Sequence, residues 1–225
     1  MKFKDIYVIV PAFNEQNVIK DIINNLLKDF SNVIVINDGS NDKTLETIND
    51  LDIKILNHEI NLGVGAAVQT GFDYVSNIPD AKAVITFDAD GQHLVDDAVA
   101  MAKEIMICDE GIIFGTRFPK HSKNIPMVKR IVLKLIAKIT DLVTGVSLSD
   151  AHNGLKAYKV SIIKELELQF SSYSYESELI TQVAKKKIDY KEMPTDIKYT
   201  SYSIKKGQKL LNGLLIIEDL LKLWK

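Results

Sequence analysis

Short apolar runs alternate with helical periodicities along most of the chain. Residues 6–10, 33–36, 53–56, 83–87 and 111–115 read as strands, the first closed by Pro11. After the first, Val18, Ile19, Ile22, Ile23, Leu26 and Leu27 make the 3,4-spaced stripe of a helix packing on a sheet. Further helices are predicted from residue 43 to about Asp50, from residues 61–65 through Phe72, over 94–108, from Pro126 to about Val143, over 175–187 and over 207–224. Residues 188–200 read as one or two strands around Pro194. Strands and helices alternating at this spacing predict an α/β fold: a predominantly parallel central sheet, right-handed crossovers and helices on both faces.

In open sheets of this kind ligands gather just past the carboxyl ends of the strands, and polar residues cluster there. The strand at 83–87 runs into Asp88, Asp90 and Gln92. In extended chain, residues i and i+2 point the same way, so the two carboxylates can converge on one cation. Oxygen ligands of this type suit Mg²⁺ or Mn²⁺, which completes its shell with phosphate oxygens. A polar strand-to-loop turn is the other reading of the same residues. Asp38 closes the second strand, within a run of turn residues from Asn37 to Asp42. Gly63, Gly65, Ala66 and Ala67 open a helix where backbone can come close to a ligand. Their spacing is not G-x-G-x-x-G and they follow the third strand, so a dinucleotide site is not expected. Arg117, just past the fifth strand, either reaches the same edge, where a guanidinium suits a diphosphate, or is a surface arginine. In the polar cluster 149–154, Asp150 has the loop setting of a base, and His152 reads either as a ligand or base or, as a lone loop histidine more often is, as solvated or hydrogen-bonded.

Composition narrows the class. The 225 residues are 46% hydrophobic and 26% charged, which fits one large domain with at most a small appendage. We expect a catalytic domain over 1–200 and an appended amphipathic helix over 201–225. A net charge of −2 gives no broad basic field, so nucleic acid is not an expected partner. The single cysteine, Cys108, cannot form an intramolecular disulfide and reads as a buried thiol in an apolar helical run. No uncharged run is long enough to span a membrane, and the first residues pass directly into a strand, so neither a transmembrane helix nor a signal peptide is expected. The expected location is cytoplasmic, peripheral at the inner face of the membrane. Two helices bear on that. The one from Pro126 sets Ile131, Leu135, Leu142 and other apolar residues on one face and Lys129, Arg130, Lys134 and Lys138 on the other. It reads either as a solvated face or as a helix on an anionic membrane. The stretch 207–224 is strongly apolar, ends near Trp224 and is flanked by lysines. It reads either as an interfacial or partner-docking helix or as one folded onto the sheet.

Five segments in order carry a more specific signal: Val10-Pro11-Ala12-Phe13-Asn14-Glu15, Asn37-Asp38-Gly39-Ser40, Asn61-Leu62-Gly63-x-Gly65, Asp88-Ala89-Asp90-Gly91-Gln92-His93 and Gly115-Thr116-Arg117. Together they resemble glycosyltransferase family 2, in the branch of dolichyl-phosphate mannose synthases and polyprenyl-phosphate glycosyltransferases, from residue 6 to about 200. The resemblance implies a GT-A fold with a Rossmann-like, nucleotide-binding N-terminal half. It implies inverting, metal-dependent transfer of a hexose from a UDP- or GDP-linked sugar to a lipid phosphate, for surface polysaccharide or glycan assembly.

By the same resemblance, Pro11, Ala12, Asn14, Glu15 and Gly65 line the nucleoside side, Asp38 meets the base or ribose, and Asp88 lies near ribose and metal. Asp90 and Gln92 hold the Mg²⁺ or Mn²⁺, and Arg117 faces the diphosphate. Arg130, Asp150, Asn153 and Lys156 fall at the acceptor, with Asp90, Arg117 and Asp150 as the catalytic set. His93 has no assigned role. The pattern departs at Val64, where related enzymes often carry lysine, and in having no apolar stretch long enough for the membrane-spanning tail of some members. The C-terminal stretch is similar to bacterial members, some of which work beside small membrane proteins, so such a partner is an open expectation, as is a homo-oligomer. Two alternatives stay beside this one: transfer directly to a glycan or lipid-linked saccharide hydroxyl, and a non-catalytic nucleotide-sugar-binding subunit of a membrane complex.

Overall fold

The structure is a computed structural model. It describes residues 2–118, 127–170 and 175–198, with backbone only for 127–130. The expected helix at 207–224 and loop at 119–125 lie outside the described residues, and so does the side chain of Arg130.

The elements run β1 (Phe3–Ala12), α1 (Ile19–Asp29), β2 (Phe30–Asp38), α2 (Thr44–Ile48), β3 (Lys54–His58), α3 (Val64–Ser76), β4 (Ala83–Thr86), α4 (Val95–Ile105), β5 (Ile112–Thr116), α5 (Met127–Thr144), β6 (Lys156–Lys159), α6 (Val160–Ile163), α7 (Tyr175–Lys186) and β7 (Tyr190–Pro194). They build a seven-stranded sheet in the order β3-β2-β1-β4-β6-β5-β7. All neighbouring pairs are parallel except those made by β6, which runs antiparallel to both β4 and β5.

Both faces of the sheet are covered, which is why its strands are near-continuous apolar runs. Along β1, Ile6, Val8 and Val10 pack into one layer with α1, α2 and α4. Ile9, between them, points into the other layer with α3, α5, α6 and α7. Pro11 does not end β1: Pro11 and Ala12 continue the pairing with β2. Proline is tolerated there because the ladder to β4 has already stopped at Ile9 and Thr86.

Two other expectations change. Cys108 lies beyond the end of α4 and is only partly buried, its Sγ 3.7 Å from the Glu110 carbonyl. On α5, Ile131, Leu135 and Leu142 do not face inward; Ile136, Ala137, Thr140 and Thr144 do. The threonines can turn inward because each hydroxyl donates to a carbonyl one turn earlier.

The antiparallel β6 positions the site. The parallel strands deliver their carboxyl ends to one edge of the sheet, and β6, reversed, delivers its amino end there. Lys156 pairs with Thr86, so the loop just before β6 meets the loop just after β4.

Candidate active site

A cleft of about 640 Å³ opens along that edge, lined from every strand. β1 supplies Pro11, Ala12, Phe13 and Glu15, and β2 supplies Asp38. The segment after β3 supplies Asn61 to Val64, and the one after β4 supplies Asp88 to Asp90, Gln92 and His93. Arg117 follows β5, His152 to Gly154 precede β6, and Ile197 follows β7. Leu133 of α5 and Tyr175 and Glu176 of α7 close the remaining side.

Asp88 and Asp90 stand at the centre. The Asp88 carboxylate lies against the backbone of Gly154, within 2.5 Å of where a Cβ would be, so any side chain there would overlap it. The Thr86 hydroxyl donates to the Gly154 carbonyl at 2.8 Å and fixes that approach. His93 Nε2 lies 3.1 Å from Asp88 Oδ2, with its ring edge-on to Phe87. Burial pushes the Asp88 carboxyl up, but the His93 hydrogen bond and charge, with the charges of Lys156 and Arg117, outweigh it and hold the group low. Asp90 goes the other way: burial first, then the Asp88 charge, raises it against the hydrogen bonds from Gln92. Gln92 donates to Asp90 through both its backbone N–H and its side-chain amide. Two carboxylates split in this way are relieved by a proton on one of them or by a bound cation. Among the described residues no three His, Cys, Asp or Glu side chains gather into a cage. The donor set therefore fits a hard cation that takes the rest of its shell from ligand oxygens and water.

Arg117 is held rather than loose. Its Nε and Nη2 donate to the two oxygens of Asp150 at 2.5 Å each, and Nη2 also donates to the His152 carbonyl at 2.8 Å. Asp150 is 1% exposed and sits behind Arg117, off the cleft wall. Burial pushes its carboxyl up, but the Arg117 charge and hydrogen bonds hold it below the usual range. A general base needs contact with the proton it removes and a pKa near the working pH. Asp150 has neither, so the base expected from its loop setting is instead an anchor for the guanidinium. Glu192 of β7 accepts from the backbone of Ser149 and Asp150 and holds that anchor in place.

The remaining expected residues divide. Pro11, Ala12, Glu15 and Asp38 line the cleft. Asp38 is 3% exposed; its oxygens accept from the N–H groups of Leu62 and Gly63 at 2.8 Å, and His58 Nδ1 lies 2.7 Å from Oδ1. It thus shapes the floor of the cleft. Asn14 does not line the cleft: it takes φ 56°, and its side chain accepts from Asn41 while its N–H donates to Ser40. Gly65 does not either; its missing side chain makes room for the Phe170 carbonyl and Tyr175, not for a ligand. Asn153 lines the cleft and donates to Thr195 at 3.0 Å. Lys156, expected at the acceptor, is 1% exposed beneath it, 2.6 Å from Glu176 Oε2.

Several lining residues had no assigned role, among them Glu176, Phe13 and His152. Glu176 accepts from Lys156 and from the Tyr175 hydroxyl, and burial, with the Asp88 charge, raises its carboxyl despite Lys156. Phe13 is a partly exposed aromatic at the rim. His152 is not solvated: its Nε2 is buried without a hydrogen-bond partner, and its pKa is lowered to about 4 by burial, then by Lys156 and Arg117. An acidic first turn was the only sequence signal for Glu176.

Residues 7–167 match the model of the family described as Glycosyl transferase family 2. The chain belongs to glycosyltransferase family 2. It is 33% identical over 245 aligned residues to the UDP-N-acetylglucosamine–dolichyl-phosphate N-acetylglucosaminyltransferase of Methanococcus voltae, covering 99% of this chain and 97% of that one. It is 26% identical to the dodecaprenyl-phosphate galacturonate synthase of Rhizobium johnstonii, over 73% of this chain and 50% of that one. Among solved structures, glucosyl-3-phosphoglycerate synthase from Mycobacterium tuberculosis, in complex with Mn²⁺, UDP and phosphoglyceric acid, superposes with a TM-score of 0.70 at 16% identity. The match covers 97% of this chain and 78% of that one. The shared architecture is the GT-A fold of glycosyltransferases.

Proposed function

We propose that this glycosyltransferase moves a sugar from a nucleoside-diphosphate sugar to a polyprenyl phosphate, with inversion at the anomeric carbon, at the cytoplasmic face of a membrane. The observation that carries the reading is the convergence of Asp88, Asp90 and Gln92 with the anchored Arg117 in one strand-end cleft. The names of the Methanococcus and Rhizobium relatives support the lipid-phosphate acceptor and make UDP-N-acetylglucosamine the first donor to try.

In this reading Asp90 and Gln92, with Asp88 beside them, hold a Mg²⁺ or Mn²⁺ ion. When bound, that ion neutralises charge developing on the departing diphosphate. Arg117 adds a fixed positive charge at the same place, preorganised by Asp150 so that little rearrangement is needed as the bond breaks. Asp38, by holding the Leu62 and Gly63 backbone, shapes the nucleoside wall. The burial of Asp150 favours an acceptor that needs no base: a lipid phosphate is ionised near pH 7, whereas a hydroxyl must give up a proton.

The test is a panel of UDP-, GDP- and dTDP-sugars incubated with the purified chain, Mn²⁺ and undecaprenyl or dolichyl phosphate, with product mass as the readout. The expected product is a sugar joined to the lipid phosphate. Transfer only to a saccharide hydroxyl would move the assignment to the glycan-acceptor alternative. Donor binding with neither transfer nor hydrolysis would make the chain a binding subunit.

A further inference from the structure

Asp38 closes β2 and His58 closes β3, and the two are register partners in the parallel ladder. His58 Nδ1 lies 2.7 Å from Asp38 Oδ1. A carboxylate oxygen only accepts, so the ring donates through Nδ1. At its other end, Nε2 meets the Thr70 hydroxyl of α3 at 3.0 Å, and that hydroxyl donates to the Ala66 carbonyl at 2.9 Å. One imidazole therefore joins β2, β3 and α3. The contact is largely shielded from water, with the His58 side chain 10% exposed and that of Asp38 4%. Asp38 lines the cleft, and His58 stands behind it, off the cleft wall.

We infer that His58 is a positioning residue for nucleotide binding, acting through Asp38. Asp38 Oδ1 is filled by His58 and the Leu62 N–H, while Oδ2 takes the Gly63 N–H and keeps room for one more donor. The terminal torsion of an aspartate is broad, so the carboxylate turns unless its neighbours hold it. Loss of the imidazole would free it to turn. That would misplace the open acceptor position and loosen the Leu62 and Gly63 backbone, which lines the cleft at the start of α3. Thr70 holds the ring from behind, so helix α3 sets the aim of Asp38. A carboxylate acceptor selects the part of a donor substrate that carries hydrogens to give. Base N–H and ribose O–H groups do, and diphosphate oxygens only accept. His58 therefore serves the nucleoside half of the ligand and not the half where the bond breaks. The inference rests on the proposed nucleoside-diphosphate sugar.

The experiment is calorimetric titration of the full chain with UDP, GDP and dTDP in the presence of Mn²⁺, followed by steady-state turnover. His58→Phe fills the place of the ring and removes both of its hydrogen bonds. It should weaken binding of the preferred nucleotide by about tenfold and raise the donor KM alike. Its kcat and acceptor KM should stay within about twofold of the parent, the split of a residue that acts on binding alone. His58→Asn sets an amide N–H close to the position of Nδ1 and should restore affinity to within about threefold of the parent. Thr70→Val releases the far end of the ring and should cost about threefold. Parent-like nucleotide affinity in His58→Phe and Thr70→Val, with only a lower melting temperature, would overturn the inference. So would a fall in kcat at unchanged donor KM, or phenylalanine and asparagine variants that bind alike. Should His58→Phe fail to fold, parent-like affinity in Thr70→Val would overturn it by itself. A parent that binds none of the three nucleotides would defeat the proposed donor and the inference with it, whereas parent-like variants of a parent that binds would defeat the inference alone.

Discussion

Gly154 has no side chain because Asp88 fills the space where one would be. Substitution by alanine should displace the Asp88 carboxylate without touching the core. In the proposed arrangement a shift of about 1 Å at Asp88, beside the cation, lowers turnover by roughly 100-fold, and we expect that loss in kcat/KM for Gly154→Ala, with an unchanged far-ultraviolet dichroism spectrum. Parent-like turnover would mean that Asp88 can move freely. Beside it, His152 makes stability depend on pH. Its folded pKa of about 4 lies below the ordinary 6.5. Between those values the unfolded chain binds a proton that the folded chain does not. Stability is therefore full above pH 6.5, falls as the pH drops toward 4 and levels off below it, by roughly 3 kcal/mol in all. Urea unfolding across that range should show the slope in the parent and lose most of it in His152→Gln; equal slopes would refute the burial argument. Asp88 and Asp90 were readable in the sequence because they fall two residues apart just past an apolar strand, although a turn and not extended chain carries them. The state of His152 was not, because burial and the charges of Lys156 and Arg117 set it, and those arise only when separate loops meet.

Among the elements, β6 and the short α6 that follows it were not revealed by the hydrophobic pattern. The four residues of β6, Lys156 to Lys159, begin and end in lysine and contain no apolar run. Lys156 can be buried because Glu176, twenty residues on in α7, compensates it at 2.6 Å. This is a tie between sheet and helix that no local pattern encodes. Its strength can be measured. Removing one partner of a buried pair strands the other charge, so Lys156→Met should destabilise the fold by about 3 kcal/mol or more. Lys156→Met with Glu176→Gln keeps an acceptor for the Tyr175 hydroxyl and removes the stranded charge. It should recover at least half of the loss in a denaturant-based double-mutant cycle. Additive losses would mean that the two groups act independently. The face of α5 was misread for a related reason. Its sequence offers two apolar arcs, and the choice between them is made by Thr140 and Thr144, whose hydroxyls are satisfied within the helix and so can face inward.

At the scale of the whole molecule, the parallel strands were readable from five apolar runs, and with them the edge at which ligands gather, whereas their order in the sheet was not. The cleft itself depends on the reversal of β6, which carries Asn153 and Gly154 to the same edge. A cleft lined by every strand should couple its ligands to global stability. In the proposed arrangement Asp88, Asp90 and Gln92 would supply only part of a cation's shell, and the diphosphate of a nucleotide would supply more. Mn²⁺ alone and UDP alone should therefore each raise the melting temperature little, and the two together should raise it by more than the sum. At about a hundred times the dissociation constant, a ligand specific for the folded state stabilises by roughly 2.7 kcal/mol, or on the order of 5–10 °C for a chain of this size. Asp90→Ala should abolish the joint shift and leave the small effect of UDP alone, because Asp38 and the loop it holds are untouched. An unaltered joint shift in Asp90→Ala would remove the cation from Asp90, and equal shifts from UDP with and without Mn²⁺ would remove it from the cleft.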